Sequence, residues 1–134
     1  SVLTGLSPRY IAARRTAAWV WGPLLIRPTP LELVVDLDAR CRPAHGSGLD
    51  VMESVLRPGD VVALDRARVT SPLRTALDLA RFTPPAQDVT ELVRDLACLG
   101  GFGLDDAQRA LDRGRNLAGK VLAVRRLRAA LSPS

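Results

Sequence analysis

The 134-residue sequence is poor in the residues that carry most enzymatic and metal chemistry, with one histidine, two cysteines, one methionine and 4% aromatics. Every Ser/His/Asp or Cys/His arrangement would have to run through His45. That residue lies in Pro43-Ala-His-Gly-Ser-Gly48, which has the composition of a turn, whereas a catalytic base has to be held and oriented. Cys41 and Cys98 lack CxxC spacing, and Cys41 with His45 and the distant Cys98 would be an unusual zinc set, so neither a metal nor another cofactor is expected. Such spacing suits reduced thiols and a cytoplasmic location. The shortage of aromatics argues against gripping single-stranded nucleic acid by base stacking. The longest apolar run, Ala17 to Ile26, is interrupted by Gly22 and Pro23, and it falls short of the ~20 residues of a membrane helix. No secretory signal opens the chain, and a first residue of Ser1 rather than methionine predicts a processed or truncated piece with residues missing upstream.

What is present is the composition of a folded domain: 47% hydrophobic and 25% charged residues. The length suits a single domain over 1–134. Charge is unevenly placed. Residues 1–30 carry four Arg and no acid, residues 31–106 eight Arg against thirteen acids, and residues 107–134 seven bases against Asp112 alone. Both ends are therefore basic and the middle acidic. Eighteen of the nineteen bases are Arg, the residue better shaped for bidentate contact with phosphate or carboxylate. A G- and C-rich genome would enrich Arg as well, so the clustering at the ends is more informative than the excess.

Local patterns divide the chain into a basic helical lead-in (1–30), a strand-rich part (31–70) and a helical part (71–134). Ser7-Pro8 is a cap followed by proline at the first helical position, which predicts a helix over Arg9 to Trp21, stopped by Gly22-Pro23. Strands are expected at Leu31–Leu37, Leu49–Val55 and Val61–Leu64, with a turn at Arg57-Pro-Gly-Asp60 and an exposed loop over 38–48. After Ser71-Pro72, the spacing of Leu73, Ala76, Leu77 and Ala80 makes one apolar stripe. A second helix is expected from Asp88 with Glu91 as its capping-box partner, and a third from Asp105 with Gln108 at the same spacing. A last helix over 117–131 is expected to bury Val121, Val124, Leu127 and Leu131. The fold class that follows is α+β: an N-terminal helix, a small and mostly antiparallel sheet of three to four strands, and a C-terminal cluster of about four helices.

Thr16-Ala-Ala-Trp-Val-Trp-Gly22, then Asp60-Val-Val, then Val69-Thr-Ser-Pro-Leu-Arg-Thr-Ala-Leu-Asp-Leu-Ala-Arg81 resemble, in wording and order, the actinobacterial branch of the AbiEi-type antitoxins, also described as transcriptional regulators. The closing Asn116-Leu-Ala-Gly-Lys120 with its Arg-rich helix is similar to the tail of that domain, so the resemblance spans nearly the whole chain. It implies a domain that counters a cognate nucleotidyltransferase toxin acting on tRNA. In that family a winged helix-turn-helix that binds the operon's promoter usually precedes this domain. Fifteen residues before Thr16 cannot supply it. Some relatives continue into a nuclease-like segment, and no acid-rich metal cluster with a following Lys stands here for it.

Arg74, Thr75, Asp78 and Arg81 sit at helical spacing and suit first a hydrogen-bonded structural face and second a partner-facing surface. Arg109, Arg113, Arg115, Lys120, Arg125, Arg126 and Arg128 suit either a solvated helix face or contact with toxin, tRNA or DNA. Of Trp19 and Trp21, two apart on a helix, one is expected in the core and the other as a half-buried anchor. A DNA-binding regulator is the alternative function. A metal-dependent nuclease built on Asp36, Asp38, Asp50, Glu53 and Asp60 is the more remote one, since carboxylates in strands and turns usually face solvent. The sequence carries no statement of oligomeric state.

Overall fold

A computed structural model of the chain describes residues 9–37, 48–65 and 67–133. It is α+β and divides into two compact units, 1–71 and 72–134.

The first unit holds β1 (Ile11–Ala12), α1 (Arg14–Trp21), β2 (Leu31–Asp36), β3 (Leu49–Ser54), β4 (Val61–Leu64) and β5 (Ala67–Thr70). Its sheet has the order β3-β2-β1-β5-β4. The expected strands at 31, 49 and 61 are present, but the sheet is mixed: β2 and β3 run parallel over six residue pairs and β1 and β5 run parallel through Ala12 and Val69, while β1–β2 and β4–β5 are antiparallel. The sequence reading missed β1 and β5. Ile11 and Ala12 were expected inside a helix, and their composition favours one. In the fold they lie at the centre of the sheet, pairing with Val34 and Leu33 on one side and, through Ala12, with Val69 on the other. Ladder bonds and burial to 1% exposure outweigh a helix preference of a few tenths of a kcal/mol per residue. The helix is thus shortened to Arg14–Trp21. Its expected cap at Ser7-Pro8 lies outside the described residues, as do 38–47 of the expected loop.

Alternation along the strands sends Ala12, Leu33, Val51, Val62 and Val69 to one face, where they pack with Ala17, Val20 and Trp21 of α1. Ile11, Val34 and Val61 occupy the other face with Ala13 and Leu56. Alanines at 17 and 18, both wholly buried, let α1 approach the sheet closely. Its N-terminus is closed by β2. Glu32 Oε1 accepts the Arg15 N–H at 2.9 Å, and the Glu32 N–H donates to Thr16 Oγ1 at 2.7 Å. Arg14, largely buried, donates to Asp50 Oδ2 at 3.3 Å and to the Asp50 carbonyl at 3.2 Å on edge strand β3. Both tryptophans are half-buried. Trp21 packs against the core and donates its Nε1 proton to the Thr70 carbonyl at 2.8 Å.

The second unit holds α2 (Pro72–Phe82), α3 (Thr90–Gly100), α4 (Leu104–Asp112) and α5 (Lys120–Leu131). Every residue of α2 from Arg74 to Ala80 is buried, so the expected apolar stripe is only part of what this helix hides. The helix expected from Asp88 starts at Thr90 instead. Asp88 Oδ1 accepts from both the Thr90 hydroxyl and the Thr90 N–H, which holds the Asp88 carboxyl below its usual range. In α4 the residue that reaches back to the N-cap N–H is Asp106, at 3.0 Å from Gly103, while Gln108 donates to Asp112. The last helix starts three residues later than expected and is rotated. It buries Ala123, Leu127 and Ala130, and leaves Val121 79% exposed. Small alanines let α5 pack closely against α2 and α3.

The late start follows from Gly119, whose φ of +74° is one that L side chains rarely adopt. A Cβ there would lie 2.6 Å from the Arg81 carbonyl oxygen, at the end of α2. Gly119→Ala is therefore expected to destabilise the chain by about 2 kcal/mol or more, from strain and overlap together. Thr16→Ala, which removes the buried acceptor of the Glu32 N–H, is expected to cost about 1–3 kcal/mol. Both are read from urea unfolding curves, and an unchanged midpoint for either variant would contradict the corresponding contact.

Candidate functional site

The segment that carries the sequence resemblance forms an ion network on α2. Asp78 accepts from Arg74 Nε at 3.1 and 3.0 Å through its two carboxylate oxygens, and from Arg81 Nη1 at 3.1 Å. The three side chains are only 9%, 5% and 8% exposed for Arg74, Asp78 and Arg81. Burial lowers the Arg81 pKa from its ordinary value, Asp78 partly restores it, and the neighbouring Arg74 lowers it. Arg81 also donates from Nε to the Ala118 carbonyl at 2.8 Å, and its guanidinium stands 4.3 Å from the centroid of the Phe82 ring. Thr75 is completely buried. Arg74, Thr75 and Asp78 are thus buried, the placement that a hydrogen-bonded structural face calls for rather than a partner-facing one. Helical spacing brings these charges together, but exposure cannot be read from spacing alone.

The C-terminal bases separate by what they bind. Arg126 acts as a clasp: Nη1 donates to the carbonyls of Ala80 (3.2 Å) and Thr83 (2.7 Å), and Nη2 to those of Pro84 (2.8 Å) and Gln87 (3.3 Å). These include carbonyls at the end of α2 that lack a continuing helix to receive them, where a cation is also favoured by the helix dipole. Arg94, not singled out from the sequence, donates in the same way to the Ala130 carbonyl of α5 at 3.0 Å. Arg109 is paired with Asp106 within α4, and Lys120 with Asp112 at 3.1 Å. Hydrogen bonds from Lys120 and Gln108 hold the Asp112 carboxyl below its usual range. Arg113 and Arg115 are exposed.

Arg125 and Arg128 are exposed on α5 and form no hydrogen bond or ion pair among the described residues. With Val121 they fall at i, i+4 and i+7, so they share one stripe on the helix side opposite Ala123 and Leu127. A cleft of about 440 Å³ runs beside it, lined by Leu117, Gly119, Lys120, Val121, Leu122 and Arg125. Apolar side chains flanked by cations match a partner surface that offers an apolar contact ringed by carboxylates. The sequence reading placed Val121 in the core and so missed the apolar centre of this surface. Reading Ala123, Leu127 and Ala130 as the inward stripe would have found it.

Among the described residues no group of three or more His, Cys, Asp or Glu side chains is gathered to hold a metal ion. Asp50 is paired with Arg14, Asp60 accepts the Arg57 N–H at 2.9 Å, and Glu53 is exposed. Asp38, Cys41 and His45 lie outside the described residues, and no helix among them is long and apolar enough to cross a membrane. Comparison of this chain with family models, with curated proteins and with solved structures finds no match.

Replacing Arg126 by methionine keeps the length of the side chain and removes the clasp, and is expected to cost roughly 2 kcal/mol. Lysine should recover little of that, because one ammonium cannot span four carbonyls. Thermal melts of the two variants check this. Asp112, with its lowered pKa, contributes stability that is present above the unfolded value and is lost as the pH falls through the folded one. Its carboxyl is expected to titrate below the ordinary aspartate value of 3.8 by carbon-detected NMR, and Lys120→Met should return it towards that value.

Proposed function

We propose that the chain is the toxin-countering module of an AbiEi-type antitoxin and acts by binding, through the outer face of α5, a cognate nucleotidyltransferase toxin. The reading rests on one surface: Val121 with Arg125 and Arg128 beside the cleft at Leu117 and Leu122. A large apolar side chain held 79% exposed among bases is what a contact surface uses, with burial of the apolar centre for affinity and the charges for register and encounter rate. The resemblance of Val69–Arg81 and of the Arg-rich tail to that family supplies the partner. On this reading the chain makes and breaks no bonds, works in the cytoplasm and needs no cofactor.

A second reading, a DNA-binding regulator, draws on the exposed bases Arg113, Arg115, Arg125 and Arg128. It requires binding whose affinity falls steeply with salt as counterions are released from phosphates.

Co-expression with the toxin, followed by pull-down and growth measurement, separates the two. Val121→Glu combined with Arg125→Glu is expected to abolish both rescue and pull-down, while the melting temperature stays within about 2 °C of the original because both side chains are exposed. Rescue that persists in this variant would discredit the α5 surface. A gel shift with operator DNA at low salt that disappears in Arg125→Glu/Arg128→Glu would favour the second reading.

A further inference from the structure

The apolar run that is too short to cross a membrane ends in a feature that neither the antitoxin nor the DNA reading uses. Between α1 and β2, Leu25 and Ile26 are 88% and 80% exposed, next to one another in the chain and followed by the exposed Arg27. Single exposed aliphatics are ordinary on a protein surface, but two adjacent ones left almost wholly in water suit a contact surface. Neighbouring side chains outside a helix diverge, so exposure of both means that the tip stands clear of the fold on more than one side.

Both ends of the tip are fixed. The Gly22 and Leu24 N–H groups each donate to the Ala18 carbonyl of α1 at 3.1 Å, and Pro28 on the far side is buried. Pro23 and Pro28 lock φ on either flank. Leu25, Ile26 and Arg27 therefore project from a set base, which spares much of the entropy of ordering them on contact.

The surroundings are basic. Glu32 is the first acid in the chain, and its carboxylate accepts the Arg15 N–H. Arg15 and Trp19, at i and i+4, share the side of α1 away from the sheet, since Ala17, Val20 and Trp21 pack toward the sheet. Among the described residues the guanidiniums of Arg15 and Arg27 have no hydrogen bond or ion pair, and the Trp19 Nε1 proton has no acceptor.

We propose that the tip between α1 and β2 inserts into the surface of an anionic membrane. Acyl chains surround an inserted side chain on every side, as this protruding pair requires, whereas a flat protein face would cover only one side of it. The two unpaired guanidiniums meet lipid phosphates, and a half-buried indole with an unused N–H suits the headgroup level. A second copy is disfavoured, because pairing tip with tip would bring arginines together with no acid between them. A DNA groove is disfavoured too: wedging aliphatics between base steps requires unstacking and bending, which two phosphate contacts do not offset. The site uses no residue of α5 and stands independently of the antitoxin reading, and a cytoplasmic protein meets the anionic leaflet that it requires.

The test is co-sedimentation of the full chain with vesicles of phosphatidylcholine mixed with phosphatidylglycerol, and with vesicles of phosphatidylcholine alone. Binding is expected to the mixed vesicles and more weakly to the neutral ones. Leu25→Ser and Ile26→Ser, both at exposed positions where folding is spared, should each weaken it about tenfold. Arg27→Gln should weaken binding to the mixed vesicles about fivefold and leave the neutral ones unchanged. Leu25→Trp adds a reporter whose emission is expected to be quenched by lipids brominated in the acyl chain. Val121→Ser, which removes the exposed apolar side chain of α5, should leave vesicle binding as it is. Failure of the full chain to sediment with the mixed vesicles overturns the proposal, as does undiminished binding by the Leu25→Ser/Ile26→Ser double variant or an unquenched Leu25→Trp reporter. A short DNA duplex bound by the original chain and released by that double variant, with vesicles left unbound, overturns it as well and assigns the tip to a groove.

Discussion

A helix leaves its first amides and last carbonyls without intrahelical partners, and in this chain long side chains from other elements close several of those ends. Glu32 of β2 takes an amide of the first turn of α1, Arg126 of α5 takes carbonyls at and beyond the end of α2, and Arg94 of α3 takes a carbonyl near the end of α5. The helices they serve are short, and α1 has no side-chain cap of its own. With 4% aromatics and many alanines in the core, the apolar contribution per residue is modest, so these charge-assisted contacts fix helix positions that bulkier packing would otherwise set. The planar guanidinium, with several donors in a rigid fork, is suited to gathering carbonyls. Part of the arginine excess is thus absorbed by the scaffold.

That division explains which parts of the molecule could be read in advance. Strands β2, β3 and β4 and helix α2 announce themselves by local pattern and turn chemistry, and they fall within a residue or two of where those signals place them. Strands β1 and β5 do not. Ile11-Ala12 lies in a run of helix-forming composition, and Ala67–Thr70 is four residues long, so each is a strand because of its partners across the sheet. The inward face of α5 was misassigned for a related reason. Counting Val and Leu as core and Ala as neutral rotates the helix, whereas close packing favours the small residue inside.

The candidate surfaces show the same limit. Spacing identified Arg74, Asp78 and Arg81 as a group, and the network is real, but its burial depends on what packs around α2. Arg126 is indistinguishable in sequence from Arg125 and Arg128, yet a step of one or two residues along the helix separates a clasp on backbone carbonyls from side chains open to solvent.

Among the described residues, the two-residue strand β1 is the sole strand joining the β2–β3 ribbon to the β4–β5 hairpin. An isolated two-stranded ribbon is marginally stable in water. Neither half of the sheet is therefore expected to persist alone, and β1 is gripped on both sides only once Val69 is available. During synthesis β1 can pair with β2 once Val34 has been made, but its other edge stays open until Val69 follows, so the centre of the sheet is among the first parts translated and the last to be closed.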